Sequence, residues 1–281
     1  MWRLMHVRFI VVVTVICCGA IVFSEAATSF CDTTDGWSLS WEDNFEGDRL
    51  DPESWNIVDG DSTGSCRDAY CTPNNVHVQY GVLVLTSKKE HFRGFNYTTG
   101  AVNTSKKRRW TYSPKFRLCV SAILPGGKGA KGQGIWPAHW MMPDTNACDP
   151  DQGEMDILEE ISGQGVGYGT YHWETTYPKK NCSYPVGHER QYGTRHLPSD
   201  WNSNFHEYAV EHGETYVAYV YDKTVILNAT KGSSPPPLFW PQPFYLILNT
   251  AVGGSWPGSP NASTVWPAHH VIDFVRVTTK H

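Results

Sequence analysis

Past Phe23 the 281-residue chain has no long apolar run, so nothing beyond that point is long enough to cross a bilayer as a helix. Positive charge is scarce: 23 Lys and Arg stand against 28 Asp and Glu, for a net charge of −5, and the basic residues gather only in the short stretch Lys106–Arg109. Nucleic acid therefore finds no electrostatic footprint, and it is not expected as a partner. Paired CxxC or CxxH spacing is missing, which removes the usual frame of a structural zinc site. Sustained helical periodicity, internal repeats and shifts of composition are absent too, so nothing marks a second domain. Two glycine-rich stretches, GGKGAKGQG (126–134) and GQGVGYG (163–169), lack the full succession of strand, glycine turn and helix in which such loops cradle phosphate.

What is present begins with an export signature. Arg3 and Arg8 precede the apolar run FIVVVTVICCGAIVF, which ends in the small-residue stretch Ser24, Glu25, Ala26, Ala27. This predicts a secretory signal over residues 1–26, cut after Ala26, and one domain over 27–281. Cys17 and Cys18 would leave with the signal, and Cys31, Cys66, Cys71, Cys119, Cys148 and Cys182 would remain. An even number in an exported chain predicts up to three disulfides; Cys66 with Cys71 is the one pairing that spacing invites. Five sequons, at Asn96, Asn103, Asn181, Asn228 and Asn261, fit a secreted glycoprotein. It is expected to be a monomer without stable membrane insertion after cleavage.

Short alternating runs recur along the chain: VHVQYGVLVLTS (76–87), KFRLCVSAIL (115–124), HEYAVEHGETYVAYVYDKTVIL (206–227), PFYLILNTAV (243–252) and HVIDFVRVTT (270–279). Gly, Pro, Asn and Asp break them, with tight turns expected at HGET and DKT. This is the spacing of an all-β sandwich or barrel.

One run breaks the pattern. DQGEMDILEEIS (151–162) sets the carboxylates of Glu154, Asp156, Glu159 and Glu160 among apolar residues. Burying an unpaired carboxylate is costly, so such a segment either exposes these groups or uses them. In a regular strand Glu154 and Asp156 share a face, but the next position on it is Leu158, and Glu159 points away. Either Glu160 completes the row, or an extra residue in a β-bulge returns Glu159 to it. Distance decides between them. Glu160 lies ~20 Å along a strand from Glu154, leaving ~12 Å between carboxyls, whereas a bulge brings Glu159 to ~13 Å and its carboxyl to roughly 5 to 6 Å. Carboxyls about 5 to 5.5 Å apart are the arrangement of a retaining glycosidase. An Asp between two such Glu has its own task, since a neighbouring like charge drives the acids into one charged and one protonated member.

The surroundings suit a sugar. Trp136 and Trp140 in QGIWPAHWMMPD (133–144), Trp173 in GTYHW (169–173) and Trp256 in FYLILNTAVGGSWPG (244–258) offer flat apolar faces for pyranose rings. Core packing is expected to claim others, such as Trp41 and Trp201. A short connection from the acidic strand would bring His172 back antiparallel beside the acids, and Asn249 offers an amide to sugar hydroxyls.

With these residues in view the chain resembles glycoside hydrolase family 16, and within it the laminarinase-like β-1,3-glucanases. The likeness rests on WSLSWEDNFEGDRLDPESWN (37–56), YTTGAVNTSKKRRWTYSPKF (97–116), GIWPAHWMMP, GEMDILEEISG (153–163), GTYHW, PFYLILNTAVGGSWPG (243–258) and VIDFVRV (271–277). The resemblance implies a jelly-roll β-sandwich of two antiparallel sheets with a concave cleft. It implies Glu154 as nucleophile, Glu159 as acid and base, Asp156 as their modulator, and a β-glucan polysaccharide as partner. It implies no cofactor; a structural calcium ion leaves no signature in the sequence. Two departures stand out: Ala101 follows TTG where relatives often carry Arg, and YSPKF replaces a more usual Tyr-Gly-Arg run. The main alternative is a non-catalytic β-glucan-recognition protein, against which stands the retention of all three acids that such relatives lose; transfer of the glycosyl group to another glycan, as in a cell-wall transglycosylase, is the other.

Overall fold

Alternation of inward and outward side chains builds two antiparallel sheets stacked as a jelly-roll sandwich. The computed structural model describes residues 29–60, 64–145, 152–175 and 188–281. The signal expected over 1–26, Cys148, Cys182 and the Asn181 sequon lie outside the described residues.

The inner sheet, which carries the acidic segment, orders its strands His188–His196, Val166–Glu174, Glu154–Glu160, Ile135–Pro143, Phe244–Val252, Ala101–Asn103 and Asn56–Ile57. The outer sheet runs Thr224–Thr230, Tyr216–Tyr221, His206–Gly213, Lys115–Ile123, Ala268–Lys280, Val82–Ser87 and Val76–Gln79, with Ser38–Asp43 also pairing along Ala268–Lys280. Each alternating run of the sequence is found in these strands. The DKT turn has Asp222 at φ 43° and Lys223 at φ 65°, the doubly left-handed bend whose twist matches the strands it joins. Among the described residues a short parallel pair, Tyr70–Cys71 with Thr98–Thr99, and an isolated parallel bridge between Arg67 and Val252 depart from the antiparallel rule.

Between the sheets, Met141, Met155, Ile157, Leu158, Leu246 and Leu248 of the inner layer meet Phe116, Leu118, Val120, Tyr208, Tyr219 and Tyr221 of the outer one. Each such buried side chain contributes roughly 1.5–3 kcal/mol. Trp201 is buried and Trp41 packs at the margin of this core, as expected of both. Two disulfides lie in the described residues: the near pair Cys66–Cys71, and Cys31–Cys119, whose 88-residue separation gave no local cue. The glycine-rich stretches are packing devices. A Cβ at Gly132 would stand 2.7 Å from the Gly163 Cα, so the two loops approach backbone to backbone. Among the described residues no helix is long and apolar enough to cross a membrane.

Candidate active site

The acidic strand Glu154–Glu160 lies between Ile135–Pro143 and Val166–Glu174, and its register slips on both sides. Towards Val166–Glu174, Asp156 faces Thr170 and the next pair is Glu159 with Tyr168. Towards Ile135–Pro143, Asp156 faces Trp140 and Leu158 already faces His139. The bulge expected from the misplaced Leu158 is therefore present, and it sends Met155, Ile157 and Leu158 into the core while Glu154, Asp156 and Glu159 line one groove. Glu160 points the other way and is fully buried.

Two neighbours hold the acids, and a third braces one of them. Trp136 donates its indole N–H to Glu159 Oε1 at 3.0 Å. His172, paired with Glu154 across the ladder, sets its Nε2 2.9 Å from Asp156 Oδ2, and its Nδ1 lies 2.8 Å from His188 Nε2. With Nε2–H donated to the carboxylate, Nδ1 of a neutral His172 accepts from His188. Burial, and after it the charge of Asp156, hold the Glu159 carboxyl well above the usual carboxylate range; the Trp136 N–H and the Arg67 and Arg190 guanidinium groups pull the other way. A carboxyl in that state keeps its proton where a free one would lose it. Ligand atoms of Glu154, Asp156 and His172 lie within 4.8 Å of one another, the one cluster among the described residues able to hold a cation.

The walls are aromatic. Trp256 is 44% exposed and stands edge-on to Trp136 at 5.4 Å and to Tyr168 at 5.1 Å, while the Arg67 guanidinium lies 5.2 Å from the centre of the Trp136 ring. Trp140 lines the groove and donates to Asn249 Oδ1 at 2.8 Å. Asn249 is in the wall, as expected, but its Nδ2 is already donated to the Ser65 carbonyl at 2.7 Å, so its amide braces Trp140 and the loop opposite. Trp173 is corrected: it is buried in the core, stacked on Tyr171. Strand alternation requires this, because His172 faces the acids and its neighbour must face away.

Sequence reasoning missed Arg67, Tyr168 and Arg190. Tyr168 was within reach, since it shares alternation with Thr170 and His172; Arg190 is opposite His172 in the next strand. Arg67 depends on tertiary structure. The Cys66–Cys71 loop packs on Ala101, which is fully buried and pairs with Asn249, so the space above Ala101 is filled by that loop and Arg67 supplies a guanidinium from it. A larger cavity of about 600 Å³ lies on the outer sheet among Phe30, Tyr216, Val225 and Asn228. Its carboxylate, Glu211, is taken by Arg117 and Tyr216, and no set of acids converges there.

The family model described as Glycosyl hydrolases family 16 matches residues 66–276. A beta-glucanase of Rhodothermus marinus is 34% identical over 263 residues, covering 88% of this chain and 86% of that protein. Among solved structures, the laminarinase from Rhodothermus marinus superposes with a TM-score of 0.73 at 31% identity, over 86% of this chain and 97% of that one. The laminarinase catalytic domain from Thermotoga maritima MSB8 gives 0.74 at 29% identity, over 88% and 100%.

Proposed function

The chain belongs to glycosyl hydrolase family 16, and from that premise we propose that it is a secreted, monomeric, retaining endo-β-1,3-glucanase that needs no cofactor. The observation that carries this reading is the bulged strand, which turns three carboxyls into one groove, where burial and the charge of Asp156 raise the affinity of the third for its proton. The names of the relatives, β-glucanase and laminarinase, support the substrate class.

In the first step Glu154 attacks the anomeric carbon, forming a glycosyl ester as the bond to the departing oxygen breaks; Glu159 gives that oxygen its proton. Asp156 helps keep the proton on Glu159 until then, and His172 fixes Asp156 in place. In the second step the Glu159 carboxylate takes a proton from water, whose oxygen displaces Glu154 from the sugar, restoring the starting configuration. Trp136, Trp140, Trp256 and Arg67 form the walls against which sugar rings stack, with Asn249 bracing Trp140.

Purified protein is expected to release reducing ends from laminarin with the β-configuration at the new end, read by proton NMR, and Glu154→Gln to abolish release while laminarin binding persists. Binding without product from the wild type would identify a recognition protein, longer products a transglycosylase, and near-normal turnover by Glu154→Gln would remove Glu154 from the nucleophile role.

A further inference from the structure

Ile157 is the one residue of Glu154–Glu160 that pairs with neither neighbouring strand. It is the extra residue of the bulge, and its side chain is fully buried between the sheets. A carbonyl released from the ladder in such a place needs a partner. It has one: Tyr221, reaching across from the outer sheet, donates its hydroxyl to the Ile157 carbonyl at 2.9 Å. Tyr221 is itself 1% exposed and held edge-on by Tyr208, with ring centres 5.2 Å apart. The inner sheet makes room for it. A Cβ at Gly167 would stand 2.7 Å from Tyr221 Cε2, so this glycine of GQGVGYG admits the ring.

We infer that Tyr221 is a positioning residue for the reaction: its hydroxyl pins the extra residue of the acidic strand, and so aims Glu159 at the glycosidic oxygen. The inference rests on the proposed roles of Glu154 and Glu159. Its physical basis is that a bulge is a choice of where the surplus residue sits. Sliding it two positions along the strand, from Ile157 to Glu159, would turn Leu158 towards the groove and Glu159 into the core. A hydroxyl that accepts only one of these placements removes the alternative. Tyr219 supplies the control. It sits two residues away on the same outer strand and donates its hydroxyl to the Thr170 carbonyl at 2.7 Å, where Thr170 is in regular register with Asp156.

The test compares Tyr221→Phe with Tyr219→Phe in the full chain. Each loses one buried hydroxyl, and each is expected to melt about 2–6 °C lower. Only Tyr221→Phe is expected to lose kcat on laminarin, by ~10-fold or more, with KM within about twofold. A dinitrophenyl β-laminarioligoside, whose leaving group departs without a proton, is expected to keep near wild-type kcat/KM in Tyr221→Phe, and azide to raise its kcat by replacing the water that Glu159 activates. Equal behaviour of the two variants on both substrates would overturn the inference. A chain lacking Ile157 gives a second check, because it has no surplus carbonyl: Tyr221→Phe in that background is expected to change kcat less than about twofold, and losses that multiply would overturn the coupling. A wild type that releases nothing from laminarin sinks the glucanase reading instead, a result distinguishable from either of these.

Discussion

Glu159 faces the groove beside Asp156 and Trp136, whereas Glu160, the next residue, is sealed on the opposite face of the same strand beneath the turn Ser162–Gly165. Burial lifts both carboxyls above their ordinary range, and Glu160 reaches about 7. The remaining influences differ in kind. Around Glu159 the next in size is the like charge of Asp156, which holds the proton on; around Glu160 all the others are backbone N–H groups of Gly163, Gln164 and Gly165, which draw it off. One environment stores a proton for transfer, and the other uses a carboxylate to fasten a turn. An elevated carboxyl alone therefore does not mark a catalytic acid; the partners do.

Replacing each carboxyl by an amide is the strongest way to break that contrast. Glu159→Gln is expected to lower kcat on laminarin by about 10²–10⁴-fold while the melting midpoint holds or rises, checked by steady-state rates and calorimetry on one preparation. Glu160→Gln is expected to keep its rate and change the pH dependence of stability. The sign follows from linkage: a carboxyl whose folded affinity for protons exceeds that of the unfolded chain gives its full stabilisation below the unfolded value of about 4.5, and loses it as pH rises through about 7. Removing the group shifts the stability difference in the variant's favour by about 3 kcal/mol between pH 4.5 and pH 8, measured by urea unfolding across that window. A rate loss in Glu160→Gln comparable to that in Glu159→Gln would collapse the distinction. Smallest of the three is Trp256→Ala on the exposed wall, expected to raise KM for laminarin several-fold, about 1 kcal/mol, with no change in melting midpoint.

The bulge was legible because the sequence contains a contradiction: Leu158 occupies the position that period-two alternation reserves for a carboxylate, and distance excluded Glu160 as the substitute. His172 was legible for the opposite reason, since a short connection and a regular ladder leave its place beside Glu154 and Asp156 little freedom. The same alternation places Trp173 in the core, so its assignment to the groove failed by weighing residue type above position. Arg67, Tyr221 and the Cys31–Cys119 link were beyond reach, because each meets its partner through packing between segments far apart in the chain. Local pattern reveals which face a side chain takes, and only the assembled layers reveal what lies across from it.

The short loop closed by Cys66 and Cys71 overlies Ala101 and holds Arg67 against Trp136. The groove's cationic contact is thus mounted on a separate clip, while the acids are built into the sheet beneath. Exchanging that clip for another of equal span would alter the grip on the polysaccharide while the acids keep their places in the sheet, and would reach the chemistry only through the pull of Arg67 on the Glu159 proton.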